Sequence, residues 1–520
     1  TATWSLARPE RLRAIRRGRA PQVARVALPA FRYLSCESVQ AQSGLIVQQQ
    51  ACEMVVVGRE ALGLLSPFTL AQVGRLGRAG TRSDCSSACL TLSLALFNES
   101  TSPAHPPSPP RLLFISYKLL QLTAALYCFV KRTYVAKVGV ALVGVGLVGK
   151  EVVRLLLSPS LRQVFDIVLL SNSKHAVLLE SNVQLDADAL LSLLPPSSSP
   201  LPPSSPQATY LPADPDHLVD LLAERSRATS QHIILVDCTS SELIASLYPR
   251  TISSSLSVVT PNKRAFSSSA SLYDDVQSSL RRPDAGLCYY EATCGAGLPV
   301  LTTVRDLVAT GDEVVKVEAV LSGTLSYLFN QYSTVEPPKE RMRFSELVWD
   351  AWKNGHTEPH PADDLSGRDV ARKLTILARL APPSSANLPD GYASAETQSL
   401  VPPNLTDVTD PAAFVDGLAA HDEEFERLRR EAEGEGKVLR YVGLLDRSTG
   451  TIKCGLEKFA HSHPFASLSG SYLSLAIYTR RYSSSPLVIQ GPGYPLSVTA
   501  GAVVADTIRV AERYGAKVGL

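Results

Sequence analysis

The chain of 520 residues carries 51 Lys and Arg against 49 Asp and Glu, a formal net charge of +2, with 45% apolar and 19% charged residues. That length exceeds what one hydrophobic core serves, so two or three domains are expected, and nothing in the charge balance points to nucleic acid or a membrane surface as partner. Nine cysteines without a repeating framework, in a chain this long, indicate reduced thiols in a reducing compartment rather than a disulfide scaffold.

The charge is unevenly spread. Residues 1–132 hold sixteen Lys and Arg against six Asp and Glu, are rich in Arg, Ser, Leu and Ala, and show no sustained hydrophobic period. They are expected to form a poorly structured basic extension. Arg11, Arg13, Arg16, Arg17 and Arg19 also suit a transit peptide, so an organelle is the alternative to a cytoplasmic location. Cys85 and Cys89 have no second pair at zinc-ligand spacing and are incidental. Residues 112–130 approach the length of a membrane span but include Lys118 and Gln121, so no span is expected.

From Tyr134 the texture changes. The run KVGVALVG leads into VGLVGKEVVRLLL, where Val148, Val152, Val153 and Leu156 have helical spacing: strand, glycine turn, helix. FDIVLL (165–170), HIILVD (232–237) and LSVVT (256–260) are further buried strands with helix-compatible segments between, the alternation of a parallel sheet covered by helices. The Pro/Ser loop 195–206 is expected on the surface, away from any ligand. Beyond Pro299 longer helices mix with strands; 421–436 reads as a solvated charged helix and the last segment as an amphipathic helix with small residues early.

Gly144, Gly146 and Gly149 form G-x-G-x-x-G at the strand-to-helix junction, where the three glycines allow a tight turn, close approach of a pyrophosphate and close helix packing. The second strand ends in Ser171-Asn172-Ser173-Lys174, without the acid that normally binds the ribose of NAD; Lys174 meets a 2′-phosphate or is an ordinary surface lysine. NADP is therefore favoured over NAD. Asp237-Cys238-Thr239-Ser240-Ser241 and Thr260-Pro261-Asn262-Lys263 follow strands at the ligand-binding edge, with a helix cap and a solvated lysine as the plain alternatives. Residues 291–299, EATCGAGLP, form a turn that can aim carbonyls at a monovalent cation or can be no more than a turn. Thr357-Glu358-Pro359, Asp363-Asp364 and Asp369-x-x-x-Lys373 are the densest polar group; on a surface the last pair is a routine ion pair, whereas in a cleft it suits an amino-alcohol substrate.

In order, GVGLVG, DCTSS, TPNKRAF, YYEATCGAGLPV, LSGTLSYLFN, TEPHPADDLSGRDVARK, SHPFASLSGS and VIQGPG resemble the homoserine dehydrogenases, particularly the monofunctional fungal form, over about residues 134–515. The resemblance implies an α/β fold: a Rossmann-type dinucleotide-binding domain (133–290 plus 491–520), an inserted α+β catalytic domain (301–436) and a strand-rich dimerisation segment (291–300 plus 437–490). It implies reversible NAD(P)-dependent oxidation of L-homoserine to L-aspartate 4-semialdehyde, on the way to threonine, methionine and isoleucine. Lys373 would be the acid/base and Lys263 a second catalytic lysine; Thr324, Gly355, Glu358, Asp364 and Asp369 would line the substrate pocket. Gly144, Gly146, Leu147, Val148, Gly149, Thr239, Ser240, Lys263 and Gly491 would meet the cofactor, and Glu291 with the carbonyls of Cys294, Ala296 and Leu298 would hold a monovalent cation, usually sodium. The implied partners are the small-molecule substrate and a second subunit in a homodimer, with no nucleic acid and no membrane.

The 132-residue head is too short for an aspartate kinase domain, which fits the monofunctional form. His356 stands where the family commonly has Tyr, His360 where it has an acid and Cys238 where it has Asn. The late glycine loop reads GPGYPLS where GAGAG is typical. Another NAD(P)-dependent amino-acid or semialdehyde dehydrogenase, or a non-catalytic nucleotide-binding protein of the same fold, are the competing readings.

Overall fold

The computed structural model describes residues 137–518 apart from 181–184 and 382–387. The basic head, with Cys85, Cys89 and the apolar stretch 112–130, lies outside the described residues. Among the described residues no helix is long and apolar enough to cross a membrane.

The first of two sheets contains β1 (Val138–Val143), β2 (Phe165–Ser171), β3 (His175–Leu179), β4 (Ala208–Pro212), β5 (Ile233–Asp237), β6 (Ser257–Val259) and β7 (Cys288–Tyr289), in the order β4-β3-β2-β1-β5-β6-β7. The strands from β2 to β7 across this order pair in parallel, and β3 and β4 add an antiparallel edge. Every residue of β1 is buried. Val138, Val140 and Leu142 face one core and Ala141 and Val143 the other, the two-faced burial that a β-branched run without polar alternation requires. The chain leaves β1 for β2 on one side and reaches β5 on the other, so a crevice opens at the carboxyl ends of β1 and β5.

Six helices position what lies in and beside that crevice: α1 (Leu147–Leu156), α2 (Val300–Ala309), α3 (Gly323–Tyr332), α4 (Pro361–Leu365), α5 (Arg368–Leu380) and α6 (Leu496–Arg513). The small residues early in α6 let it pack along α1: Ala500, Ala502 and Val503 share a core with Val152, Val153 and Leu156.

The second sheet holds β8 (Val314–Val320), β9 (Glu396–Thr397), β10 (Lys437–Asp446), β11 (Thr451–Ala460), β12 (Tyr472–Thr479) and β13 (Leu487–Pro492), ordered β13-β12-β8-β10-β11-β9. β8 lies between β12 and β10, antiparallel to both. The expected boundary at residue 436/437 therefore runs through a shared sheet, because a strand from 301–436 supplies its middle.

Two expectations need correction. The Pro/Ser loop 195–206 has no buried residue, but it is not remote from the nucleotide-binding edge: Asn172 Nδ2 donates to Pro195 O at 2.8 Å, and Ser173 and Ser197 Oγ lie 3.2 Å apart. The charged helix Asp422–Gly434 is not solvated throughout, since Asp422 accepts from Ser345 N at 2.9 Å and Oγ at 2.7 Å and Arg429 is also buried.

At the amino ends of the first sheet His232 stacks on Tyr514, centroids 3.4 Å apart, with Nε2 2.9 Å from Ser257 Oγ. Burial pushes the His232 pKa down to about 4. An unfolded histidine titrates near ~6.5, so between pH 6.5 and about 4 the unfolded chain binds a proton that the folded chain refuses. Stability is then lost as pH falls through this window, by at most about 3 kcal/mol from this residue. The melting temperature should fall between pH 7 and pH 5, and fall less in His232→Gln; equal falls in both proteins would place the titration elsewhere.

Candidate active site

Gly144 ends β1 with φ +89°, and a side chain there would meet Thr239 Cγ2 at 2.6 Å and Thr239 N at 2.9 Å. This glycine therefore lets the phosphate turn lie against the loop after β5. Gly149 is filled in on the other side, where a Cβ would come within 2.4 Å of Gly144 O. Gly146 differs from both: nothing lies within 4 Å of where its Cβ would be. It is the N-cap of α1 and, having no side chain, offers no cap to the first N–H groups of the helix. Leu147 is 73% exposed, a large apolar side chain at the mouth of the crevice. These features fit a dinucleotide's pyrophosphate.

Behind the crevice, the loops after β5 and β6 are bolted together by a buried carboxylate. Asp237 accepts from Thr239 N (2.8 Å), Tyr248 OH (2.6 Å) and Asn262 Nδ2 (2.9 Å), and its own carbonyl accepts from Thr260 Oγ1 at 2.7 Å. Burial raises the Asp237 pKa while these hydrogen bonds oppose the shift. Asn262 Nδ2 also reaches Ser241 O at 2.9 Å. Ser241 caps the following helix through Ile244 N, and its own N–H donates to Thr239 Oγ1 at 3.0 Å.

The brace fixes Lys263, the residue after Asn262, at the N-cap of helix Arg264–Ser267. Its Nζ lies 3.2 Å from Asp369 Oδ1, and Lys373 Nζ lies 2.6 Å from Asp369 Oδ2 and donates to Leu321 O at 2.7 Å. Lys373 is 12% exposed, Lys263 28% and Asp369 44%. The i,i+4 pair is thus no surface ion pair; it lies deep in a cleft that stays open above the carboxylate. Burial alone would raise the Asp369 pKa, but the two ammonium groups overcome it and hold the carboxyl well below the usual range. Burial alone would lower the Lys373 pKa, but Asp369 overcomes it and the net shift is upward.

The turn after Leu321 brings the remaining polar residues. Ser322 caps α3 through Leu325 N, and Thr324 Oγ1 donates to His356 O at 2.8 Å. Glu358 N donates to Asp364 Oδ2 at 2.8 Å, which ties the backbone at Glu358 to the α4 segment. Burial pushes the Asp364 pKa up to about 7, against the opposing hydrogen bonds of Thr324 and Glu358 N. Gly355 stays apart: it is exposed, has φ +72°, and ends the helix Phe344–Lys353 with open space around it.

Glu291 is buried and caps α2, accepting from Leu301 N (2.6 Å), Thr302 N (2.8 Å) and Thr302 Oγ1. Its own N–H donates to Asp506 on α6 at 2.8 Å. Ala296 has φ +55°, and the Leu298 carbonyl already accepts from Val300 N at 2.8 Å. A carboxylate offers about four lone pairs. Three donors leave room for a cation beside the carbonyls of Cys294 and Ala296, so the donor set fits a singly charged ion. Gly491 adjoins this loop, since a Cβ there would meet Leu298 Cδ2 at 2.7 Å.

Sequence reasoning missed Asp237, Tyr248 and Asn262 as the brace and Leu321 O as the partner of Lys373. Asp237 and Asn262 stood inside motifs already singled out; Tyr248 carried no signal, because it opens a short helix of mixed composition outside them.

Residues 299–508 match a family model described as homoserine dehydrogenase, and residues 144–282 match the homoserine dehydrogenase NAD binding domain. The homoserine dehydrogenase of Saccharomyces cerevisiae is 41% identical over 334 residues, spanning 64% of this chain and 90% of that protein. That of Schizosaccharomyces pombe is 43% identical over 295 residues, spanning 57% and 76%. Among solved structures, a Candida auris protein of unknown function is similar with a TM-score of 0.62 and 38% identity, over 73% of this chain and 99% of that one. A hyperthermophilic archaeal homoserine dehydrogenase in complex with NADPH shares the fold, with a TM-score of 0.52 and 18% identity over 73% and 98% of the two chains.

The open space at Gly146 separates binding from folding. Gly146→Val should keep the melting temperature and lose NADPH affinity, whereas Gly149→Val, facing backbone at 2.4 Å, should destabilise the fold itself. Calorimetric titration alongside thermal melts checks both, and unchanged NADPH affinity in Gly146→Val would remove this turn from the site.

Proposed function

The chain belongs to the homoserine dehydrogenase family, and from that premise we propose how its own residues carry the reaction. The activity is the reversible NAD(P)-dependent interconversion of L-homoserine and L-aspartate 4-semialdehyde, a step of the aspartate pathway to threonine, methionine and isoleucine. When bound, the nicotinamide cofactor supplies the hydride transfer, and the protein's part is to hold the substrate and to handle the proton at its oxygen.

The observation that carries the reading is the position of Lys373 Nζ, fixed between Asp369 Oδ2 at 2.6 Å and Leu321 O at 2.7 Å, beside the turn that begins α3. Lys373 has its pKa raised and is protonated at neutral pH, which suits a general acid that protonates the oxygen as the aldehyde is reduced. In the oxidative direction the same lysine must first give up its proton. The substrate ammonium, held by Glu358, Asp364 and Asp369, offsets the negative charge that retains this proton and so lowers the pKa of Lys373 when it is needed as a base. Lys263, on the other side of Asp369, is the second lysine of the catalytic pair, turned toward the nicotinamide end of the crevice. Thr324 completes the substrate pocket, and Gly355, which stands apart from it, is left out of the assignment.

The cofactor contacts we assign are Gly144, Gly146, Leu147, Val148, Gly149, Thr239, Ser240, Lys263 and Gly491. NADP is the preferred form, because the turn after β2 offers Lys174 and no acid. The archaeal relative solved with NADPH is consistent with this choice. Glu291 with the carbonyls of Cys294, Ala296 and Leu298 is the site we assign to a sodium-like cation. A homodimer would form through the second sheet, where Tyr472 and Val488 are exposed apolar side chains. The cytoplasm suits the free thiols of Cys238, Cys288, Cys294 and Cys454.

Lys373→Ala should lower kcat by about 10²- to 10⁴-fold while keeping cofactor affinity, as removal of a positioned acid/base does. Asp369→Asn should raise KM for homoserine and move the ionisation of Lys373 to lower pH, because burial then acts on the lysine without the opposing carboxylate. Semialdehyde-dependent NADPH oxidation across a pH series reads kcat and the ionisation of Lys373, and homoserine-dependent NADP reduction reads the KM. Near wild-type turnover in Lys373→Ala would transfer the proton to Lys263.

A further inference from the structure

The loop 493–495 between β13 and α6 reaches from the cofactor side of the crevice into the substrate side. Gly493 is tied to the second sheet by its N–H, which donates to Ser471 O at 3.1 Å. Its carbonyl lies 4.0 Å from where a Cβ on Gly323 would be, over the first residue of α3. The next residue, Tyr494, is half-exposed, and its ring meets the edge of His356 at 5.8 Å and 77°. His356 in turn stacks on Tyr327 of α3 at 4.5 Å and 26°. Its carbonyl accepts the Thr324 hydroxyl at 2.8 Å, so ring and backbone both fix His356 to the helix that begins at the substrate pocket. Tyr327 is itself held by Asp350, at 2.9 Å. The three rings form a continuous column from α3 to the loop, and Tyr494 is the outermost member.

We infer that Tyr494 and His356 form an aromatic clasp that closes the loop 493–495 over the homoserine pocket and thereby sets the affinity for homoserine. The inference rests on the homoserine dehydrogenase reading and adds to it a positioning residue, Tyr494, that touches neither of the lysines. The clasp needs the faces and edges of the rings and not the tyrosine hydroxyl, for which no hydrogen bond is seen among the described residues. Because Gly491 lies against Leu298 and Gly493 over Gly323, a loop released from His356 would loosen the wall of the substrate pocket before it disturbed the pyrophosphate turn at Gly146.

Steady-state homoserine oxidation on the full chain, with NADPH binding measured separately by fluorescence, tests this. Tyr494→Ala and His356→Ala should each raise KM for homoserine by about 3- to 10-fold, the range that one aromatic pair contributes. Both should leave kcat and free-enzyme NADPH affinity close to wild type. The combined variant should be no worse than the more affected single one, since both remove the same contact. Tyr494→Phe should restore the wild-type KM. A wild-type KM in Tyr494→Ala, multiplicative effects in the combined variant, a Tyr494→Phe as impaired as the alanine, or NADPH affinity lost in parallel with KM would each overturn the clasp. Absence of homoserine turnover in the wild-type chain would remove the activity itself, whereas wild-type turnover with an unmoved KM in Tyr494→Ala removes the clasp alone.

Discussion

One carboxylate, Asp369, between two lysines is the interaction on which the rest of the site depends. Its two oxygens are divided between Lys263, which arrives on a loop of the first sheet, and Lys373, one turn further along its own helix. A lone buried ammonium would shed its proton and a lone buried carboxylate would take one up. Together they stay charged, and the pair of lysines can be held close only because the acid lies between them. The same contact joins the nucleotide-binding sheet to the substrate-binding helices, so the chemistry sits where two parts of the fold meet.

That arrangement works only if Lys263 arrives in one place, and the buried network around Asp237 supplies the constraint. Tyr248, Thr239 and Asn262 satisfy both oxygens of Asp237, and Asn262 spends its second donor on Ser241 O, so the two loops cannot move separately without leaving a buried polar group unpaired. The glycines serve the same end by a different means. Gly144 permits contact between the turn and Thr239, and Gly149 permits contact between helix and turn, whereas Gly146 faces open space.

Much of this was legible in the chain because it is local. The β-branched runs 138–143, 165–171 and 233–237 form the strands they predict, and the glycine turn lies between β1 and α1 as its spacing requires. The charged segment 421–436 was half legible: its outward pairs Arg427 to Glu431 and Arg430 to Glu426 follow helical spacing, but nothing in that spacing marks Asp422 and Arg429 as buried. Contacts between distant segments left no pattern. Arg440 is fully buried and donates to five carbonyls from three separate stretches, including Phe329, Ser333 and Phe465, yet in sequence it is one arginine in an apolar strand. The pairing of Asp369 with Lys373 could be read as an i,i+4 contact, while the arrival of Lys263 and of Leu321 O beside them could not.

The direction of the Lys373 shift changes how the site is understood. Burial by itself would bring this lysine toward neutrality, but Asp369 at 2.6 Å outweighs it. The resting site is therefore poised to donate a proton, which is the form needed when the aldehyde is reduced. Asp364 adds a second adjustable charge: with its pKa pushed up to about 7 it is partly protonated at neutral pH, beside Glu358 whose backbone N–H it accepts. In the proposed reading an arriving substrate ammonium favours the ionised form of Asp364 while offsetting the hold of Asp369 on Lys373, so substrate charge and the protonation of these two groups become one coupled equilibrium.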